Sequence, residues 1–198
     1  MHKRTSAAAQ RNRDAILAVL ERVLPAAGVV LEIASSSGEH AVAFATALGG
    51  LTWQPSERDA EGLASIEAWA AELGPPNLRP AVELDVQRWP WPVREADAIV
   101  CINMIHIAPW AACEALLRGA GALLQKGAPL YLYGAMKLDG RFTAPSNADF
   151  DASLRARDPS WGVRDLAEVT HAAQAQGLVL EELVPMPANN FSLILRRV

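Results

Sequence analysis

The run Val29-Val30-Leu31-Glu32-Ile33-Ala34-Ser35-Ser36-Ser37-Gly38 contains the residue types that a nucleotide-sized pocket needs. An apolar strand ends in an acid, a loop of small residues follows, and an apolar helix starts near Glu39. Small side chains let the loop backbone pass close to a ligand, and the helix start presents unpaired N–H groups to it. Further on, Glu57 stands just past a second expected strand, with Asp59 close by. A carboxylate there can accept both hydroxyls of a ribose; equally, these acids suit the first turn of the next helix. His106 follows a later strand, and its pKa near neutrality would let it take a proton from an attacking hydroxyl or amine. A lone histidine in an apolar turn is more often structural.

Other polar side chains fall beyond the carboxyl ends of expected strands, the side on which open α/β sheets bind ligands. Trp110, Tyr133, Lys137 and Arg141 are so placed. Ser146-Asn147 and Asn189-Asn190 are poor material for a core or a helix, although turns use such residues freely. Together with the rest of the polar segment Lys137 to Asn147, Arg155 and Arg164 they could form a lid recognising a small polar, anionic molecule; solvated loop residues are the plain alternative. Arg11-Asn12 precedes the first expected helix, either as a clasp over the pocket or as a helix cap.

The elements that must carry these residues alternate. Helices are expected over 12–24, 39–48, 59–73, 109–124 and 164–176, and strands over 29–34, 51–55, 79–84, 98–102, 130–134, 178–184 and 191–197. The uninterrupted apolar run Ala98 to Ile102 reads as a central parallel strand buried on both faces. Segment 137–147 is too rich in Gly, Pro, Ser and Asn for regular structure. The final two strands are joined by a link too short for a parallel crossover, so they must pair as an antiparallel hairpin. The expectation is an α/β, doubly wound, mostly parallel seven-stranded sheet ending in that hairpin. One domain spans 1–198, with 1–10 as a flexible N-terminus.

Composition narrows the classes. Hydrophobic residues at 51% and charged residues at 20% are the balance of an ordinary globular domain. A net charge of −4 argues against a general nucleic-acid surface; Trp89 and Trp91 have only Arg88 and Arg94 as basic neighbours, too little for base stacking on a phosphate track. Two cysteines, Cys101 and Cys113, read as free buried thiols of a reducing compartment, with no metal-ligand spacing. No secretory h-region and no membrane-length apolar run are present, so a soluble cytoplasmic protein without a membrane partner is expected.

The strand–small loop–helix unit, the closing hairpin and several motifs resemble the class I methyltransferases that use S-adenosylmethionine. More closely, the chain resembles the methyltransferase-like 26 family. The residues carrying this are Arg11-Asn12, Leu31 to Ser35, Gly38, Trp53 to Ser56, Asn103 to Ile107, Tyr133-Gly134, Pro145 to Asn147, Phe150-Asp151, Arg164-Asp165 and Pro187 to Asn190. The resemblance implies S-adenosylmethionine as cofactor and names no acceptor; the expected activity is methyl transfer to a small polar molecule. It places the superfamily's acid and three alternate glycine positions at Glu32, Ala34, Ser36 and Gly38, with Ser36 as this chain's own departure. It also implies a ribose contact from Glu57, an adenine contact from Asp85 beside Val86, and Asn103 near the methionine portion. His106 or Tyr133 would assist an amine or alcohol acceptor, whereas a thiol needs little help; no metal is required. A homodimer is the candidate assembly. Two alternatives stand beside this reading: a catalytically weak or inactive binding module, and a nicotinamide-dependent oxidoreductase. The closing hairpin and the lack of a full Gly-x-Gly-x-x-Gly run count against the second.

Overall fold

A computed structural model of the chain describes residues 3–198. Its centre is a sheet of β1 (Gly28–Ile33), β2 (Leu51–Glu57), β3 (Val82–Glu83), β4 (Ala98–Ile102), β5 (Pro129–Gly134), β9 (Leu178–Met186) and β10 (Asn190–Arg197). The spatial order is β3-β2-β1-β4-β5-β10-β9. Strands β1 to β5 run parallel, and β10 pairs antiparallel with both β5 and β9. This is the expected α/β architecture, and the order reverses beside β1, where an open sheet leaves a crevice for a ligand.

Each face of the sheet buries a separate apolar layer, because alternate residues of a strand point to opposite sides. On one side Val30, Val100, Tyr131 and Ile194 meet Ile16 and Leu20 of α1 (Ala7–Val23) and Phe44 of α2 (Glu39–Ala47). On the other, Leu31, Ile99, Leu132 and Leu193 meet Leu116 and Leu117 of α4 (Trp110–Leu123) and Val169 of α6 (Leu166–Gln174). Between them in the chain, α3 (Ala60–Leu73) packs Ile66 against the loop after β1. Trp91 fills the space beside Gly119, where an added Cβ would lie 2.1 Å from its ring, so this tryptophan is core while Trp89 is exposed. Cys101 and Cys113 are free and buried.

Several local expectations are corrected. Helix α1 starts at Ala7 and is capped by the Ser6 side chain, which accepts from Ala9 N at 3.2 Å. Arg11 and Asn12 are therefore inside the helix and cannot cap it. Of the segment expected to be flexible, residues 1 and 2 lie outside the described residues, whereas the rest is tied down. Lys3 pairs with Glu72 at 2.6 Å, Arg4 N donates to Ser65 Oγ at 2.9 Å, and Trp69 Nε1 donates to Arg4 O at 2.8 Å.

Segment 137–147 is also regular. Strands β6 (Met136–Leu138) and β7 (Arg141–Phe142) form a hairpin, and β8 (Arg164–Asp165) pairs parallel with β6. The turn is Asp139-Gly140, both at positive φ (52° and 75°), a dipeptide that favours such a two-residue hairpin turn. Helix α5 (Pro145–Arg157) follows with Pro145 at its first turn. Its buried positions, Asn147, Asp151 and Leu154, keep helical spacing but are mostly polar, which hid the helix from a hydrophobicity pattern. The expected helix over 164–176 begins later, because Arg164 and Asp165 belong to β8 and the Asp165 side chain caps α6.

Candidate functional site

A cleft of about 450 Å³ opens at the carboxyl ends of β1, β2 and β4, a volume in the range of small-molecule sites. Its floor is the loop after β1. The backbone there is left-handed at Ala34 (φ 57°), Ser36 (φ 54°) and Gly38 (φ 91°), the three alternate positions singled out from the sequence. Gly38 must be bare, since a Cβ would approach Ile66 Cα to 2.8 Å. Straps from β2 fix the loop: Ser35 N donates to Ser56 O at 2.8 Å, and Ser56 Oγ donates to Glu32 O at 2.7 Å.

Two carboxylates organise this floor. Glu32 is buried and accepts from Ser35 Oγ and Trp53 Nε1, each at 3.0 Å. Burial still lifts its carboxyl to about 7 against those hydrogen bonds. Glu57 is the last residue of β2 rather than beyond it, and accepts from Ser36 N at 3.0 Å and Arg58 N at 2.7 Å. Each oxygen keeps a lone pair for a further donor. Gly62 makes room for this side chain: a Cβ there would lie 2.4 Å from Glu57 Cγ.

The opposite wall is Leu84, Asp85, Val86 and Met104, with Asn103 in left-handed conformation (φ 62°) at the end of β4. Asp85 Oδ1 accepts from Gln87 N at 3.0 Å. The N-terminal segment adds Arg4, Ser6 and Ala8, and Arg157 with Trp161 stand at the mouth, the guanidinium 5.0 Å from the indole centre. His40, in the first turn of α2, lines the cleft, stacks on Phe44 and contacts Asn12 Oδ1 through Nε2 at 2.9 Å. Burial holds its imidazole down at about 4, so it is neutral at physiological pH.

A second cleft of about 580 Å³ adjoins the first and shares Ala8 and Asn103 with it. Its lining combines Arg11 and Asn12 of α1, Tyr133 of β5, Ser146, Asn147 and Phe150 of α5, and Asn189 and Asn190 between β9 and β10. Residues far apart in sequence are thereby brought to one wall. Burial holds the Tyr133 phenol above its ordinary range, opposed by the Asn12 and Asn190 side chains.

Of the residues expected from the sequence, Glu32, Ala34, Ser36, Glu57, Asp85, Val86 and Asn103 line the first cleft. Gly38 supports its floor from behind as the N-cap of α2. Arg11 and Asn12 line the second cleft instead, beside Tyr133, Ser146, Asn147, Asn189 and Asn190. Four expectations are corrected. His106 is fully buried and lines neither cleft, and among the described residues neither ring nitrogen has a hydrogen-bond partner. Burial holds it at about 4, so it is no base for a substrate in either cleft. Trp110 sits under the Arg164 guanidinium at 5.7 Å, the Lys137 ammonium lies over the Phe142 ring at 4.5 Å, and Arg141 is exposed in β7. None of these three lines either cleft. Sequence reading missed Arg4, His40, Gly62, Phe150, Arg157 and Trp161. Only the Ser6 cap and the Ala7-Ala8-Ala9 run, both helix-start signals, could have placed the N-terminal segment near the site.

The chain matches, over residues 3–197, the family described as "Protein of unknown function (DUF938)". Among solved structures it is similar to the mitomycin 7-O-methyltransferase MmcR, at 16% identity and a TM-score of 0.81, covering 97% of this chain and 55% of that one. Human N-acetylserotonin methyltransferase in complex with SAM gives 12% identity and a TM-score of 0.81, covering 96% of this chain and 52% of the other. A methyltransferase of calicheamicin biosynthesis in its SAH-bound form gives 19% and 0.73, covering 98% and 61%. The chain thus spans a little over half the length of these neighbours, and the likeness is one of fold: a Rossmann-like methyltransferase sheet.

Proposed function

Because the chain belongs to the DUF938 family and has a methyltransferase fold, we propose that it transfers a methyl group from S-adenosylmethionine to a small polar molecule. One observation carries the reading: left-handed backbone at three alternate positions after β1, facing a buried carboxylate at the end of β2. A plain strand–turn–helix has no need of that arrangement. The kinship to the methyltransferase-like 26 family belongs to the same proposal, and the two free buried thiols fit a reducing, cytoplasmic setting.

The residues present fit such a cofactor. Glu57, with an unused lone pair on each oxygen and a floor kept clear by Gly62, would hold the ribose hydroxyls. Asp85 and Val86 would meet the adenine, while Asn103 and the loop of Ala34 and Ser36 would flank the methionine end. When bound, the sulfonium supplies a methyl group that is already an electrophile. The chain's own work is then positioning and exclusion of water. The second cleft, continuous with the first through Ala8 and Asn103, would hold the acceptor. Arg157, Trp161 and the N-terminal segment would cover the mouth.

Gly62→Ala tests the role of Glu57 without touching its charge. The added methyl displaces the carboxylate, so affinity for S-adenosylmethionine should fall by about tenfold, the loss of one or two charged hydrogen bonds. Calorimetry reads the affinity and circular dichroism the fold. Unchanged affinity in a folded variant would contradict the assignment.

A further inference from the structure

The second cleft specifies what its occupant must offer. Asn147 Nδ2 donates to the backbone oxygen of Asn189 at 2.9 Å and to Thr143 Oγ1 at 2.9 Å. Asn190 Nδ2 donates to Pro187 O at 3.2 Å and to Ala188 O at 3.3 Å. A backbone carbonyl can only accept, so both amide nitrogens are fixed on the protein side. Among the described residues Asn147 Oδ1 has no protein donor, and Asn190 Oδ1 has none but the Tyr133 hydroxyl beside that side chain. Asn147 is 4% exposed and lines the cleft. Two acceptors thus await a ligand with X–H donors, and a carboxylate or phosphate at this end would be repelled.

The same lining decides which donor group. Among the described residues the second cleft contains no carboxylate and no histidine. Tyr133 keeps its proton, since burial raises its phenol. An alcohol needs a base to attack, whereas a neutral amine already has its lone pair. A thiol is a weak hydrogen-bond donor and would waste the amide oxygens. The cleft's one charged side chain is Arg11, exposed and without an ion pair among the described residues. It disfavours a cation and suits an anionic group elsewhere on the same ligand.

We propose that the acceptor is a small molecule with an amino nitrogen that is uncharged at neutral pH, its N–H groups received by Asn147 and Asn190. The inference rests on the methyl-transfer reading. The nitrogen lone pair forms the new bond to the methyl carbon, the carbon–sulfur bond breaks with its electron pair left on sulfur, and the surplus N–H proton passes to water.

Binding decides it. The probes are 2-aminobenzoate, 2-hydroxybenzoate and 2-mercaptobenzoate, titrated into protein saturated with S-adenosylhomocysteine, with transfer of labelled methyl followed in parallel from S-adenosylmethionine. The amino probe should bind about tenfold more tightly than either analogue and be the one methylated. Asn147→Leu should abolish the preference while cofactor affinity persists. Equal binding of the three, preference for the hydroxyl or thiol probe, or no probe bound to cofactor-loaded protein overturns the proposal alone. Failure of the cofactor itself to bind overturns the methyl-transfer reading and this proposal with it.

Discussion

Ala34 and Ser36 occupy left-handed backbone, a conformation that costs an L-residue about 1–2 kcal/mol and glycine little. The loop keeps its shape regardless, because the straps from Ser56 and the hydrogen bond from Ser36 N to Glu57 over-determine it. Ser36→Gly should therefore raise stability by about 1 kcal/mol, after allowing for the greater unfolded-state entropy of glycine. Thermal melting checks this, and a lower melting temperature would show that the serine earns its place through a contact. At this scale the sequence was most legible where residue type and spacing coincide. The acid and the three alternate positions of the loop, Glu57, Asp85 and Asn103 all line or support the cleft. His106 was misplaced because its type speaks of chemistry while its burial, set by the neighbours around Gly134 and Gly162, cannot be read locally. Gly62 was passed over because its meaning lies in a side chain it faces across space.

The elements were legible in proportion to their apolar period. Strand β4 matches its expected bounds, and α2 differs only at its last residue. Helix α5 was missed, since the face it buries is Asn147 and Asp151 as much as Leu154. Asp151 explains that polarity: it holds Arg155 at 2.8 Å and accepts from Val163 N at 2.8 Å, tying α5 to the chain before β8. The start of α1 was also set too late, although Ser6 and the alanines after it are strong helix-start signals. The consequence reaches the site, because Ser6 and Ala8 line the first cleft. Ser6→Ala removes the cap on Ala9 N and should cost about 1 kcal/mol. Chemical denaturation measures the loss, and hydrogen exchange should show it concentrated in the first turn of α1. Uniform loss across the domain would contradict a local cap.

Across the whole molecule, three buried ionisable groups set opposing pH dependences. His40 and His106 ordinarily titrate near 6.5 and are held at about 4 in the fold. The unfolded chain therefore binds more protons below 6.5, and acidification toward 4 costs stability. Glu32 is raised from 4.5 to about 7, so the folded state binds the extra proton, and stability falls as pH rises through that window. Two histidines outweigh one glutamate between 4.5 and 6.5, which puts the stability maximum of the ligand-free protein near 6.5. Melting temperature against pH should show this peak. His106→Leu should flatten the acid limb and Glu32→Gln the alkaline one. A profile that neither variant alters would contradict the burial argument.

The central claim is that the cleft after β1 holds S-adenosylmethionine. Calorimetric titration of the purified chain with S-adenosylmethionine, repeated on Glu57→Ala, tests it most directly. The account predicts saturable one-to-one binding to the native chain and at least about a tenfold loss in the variant. A well-folded native chain that releases no heat and shows no melting shift with this ligand would contradict it.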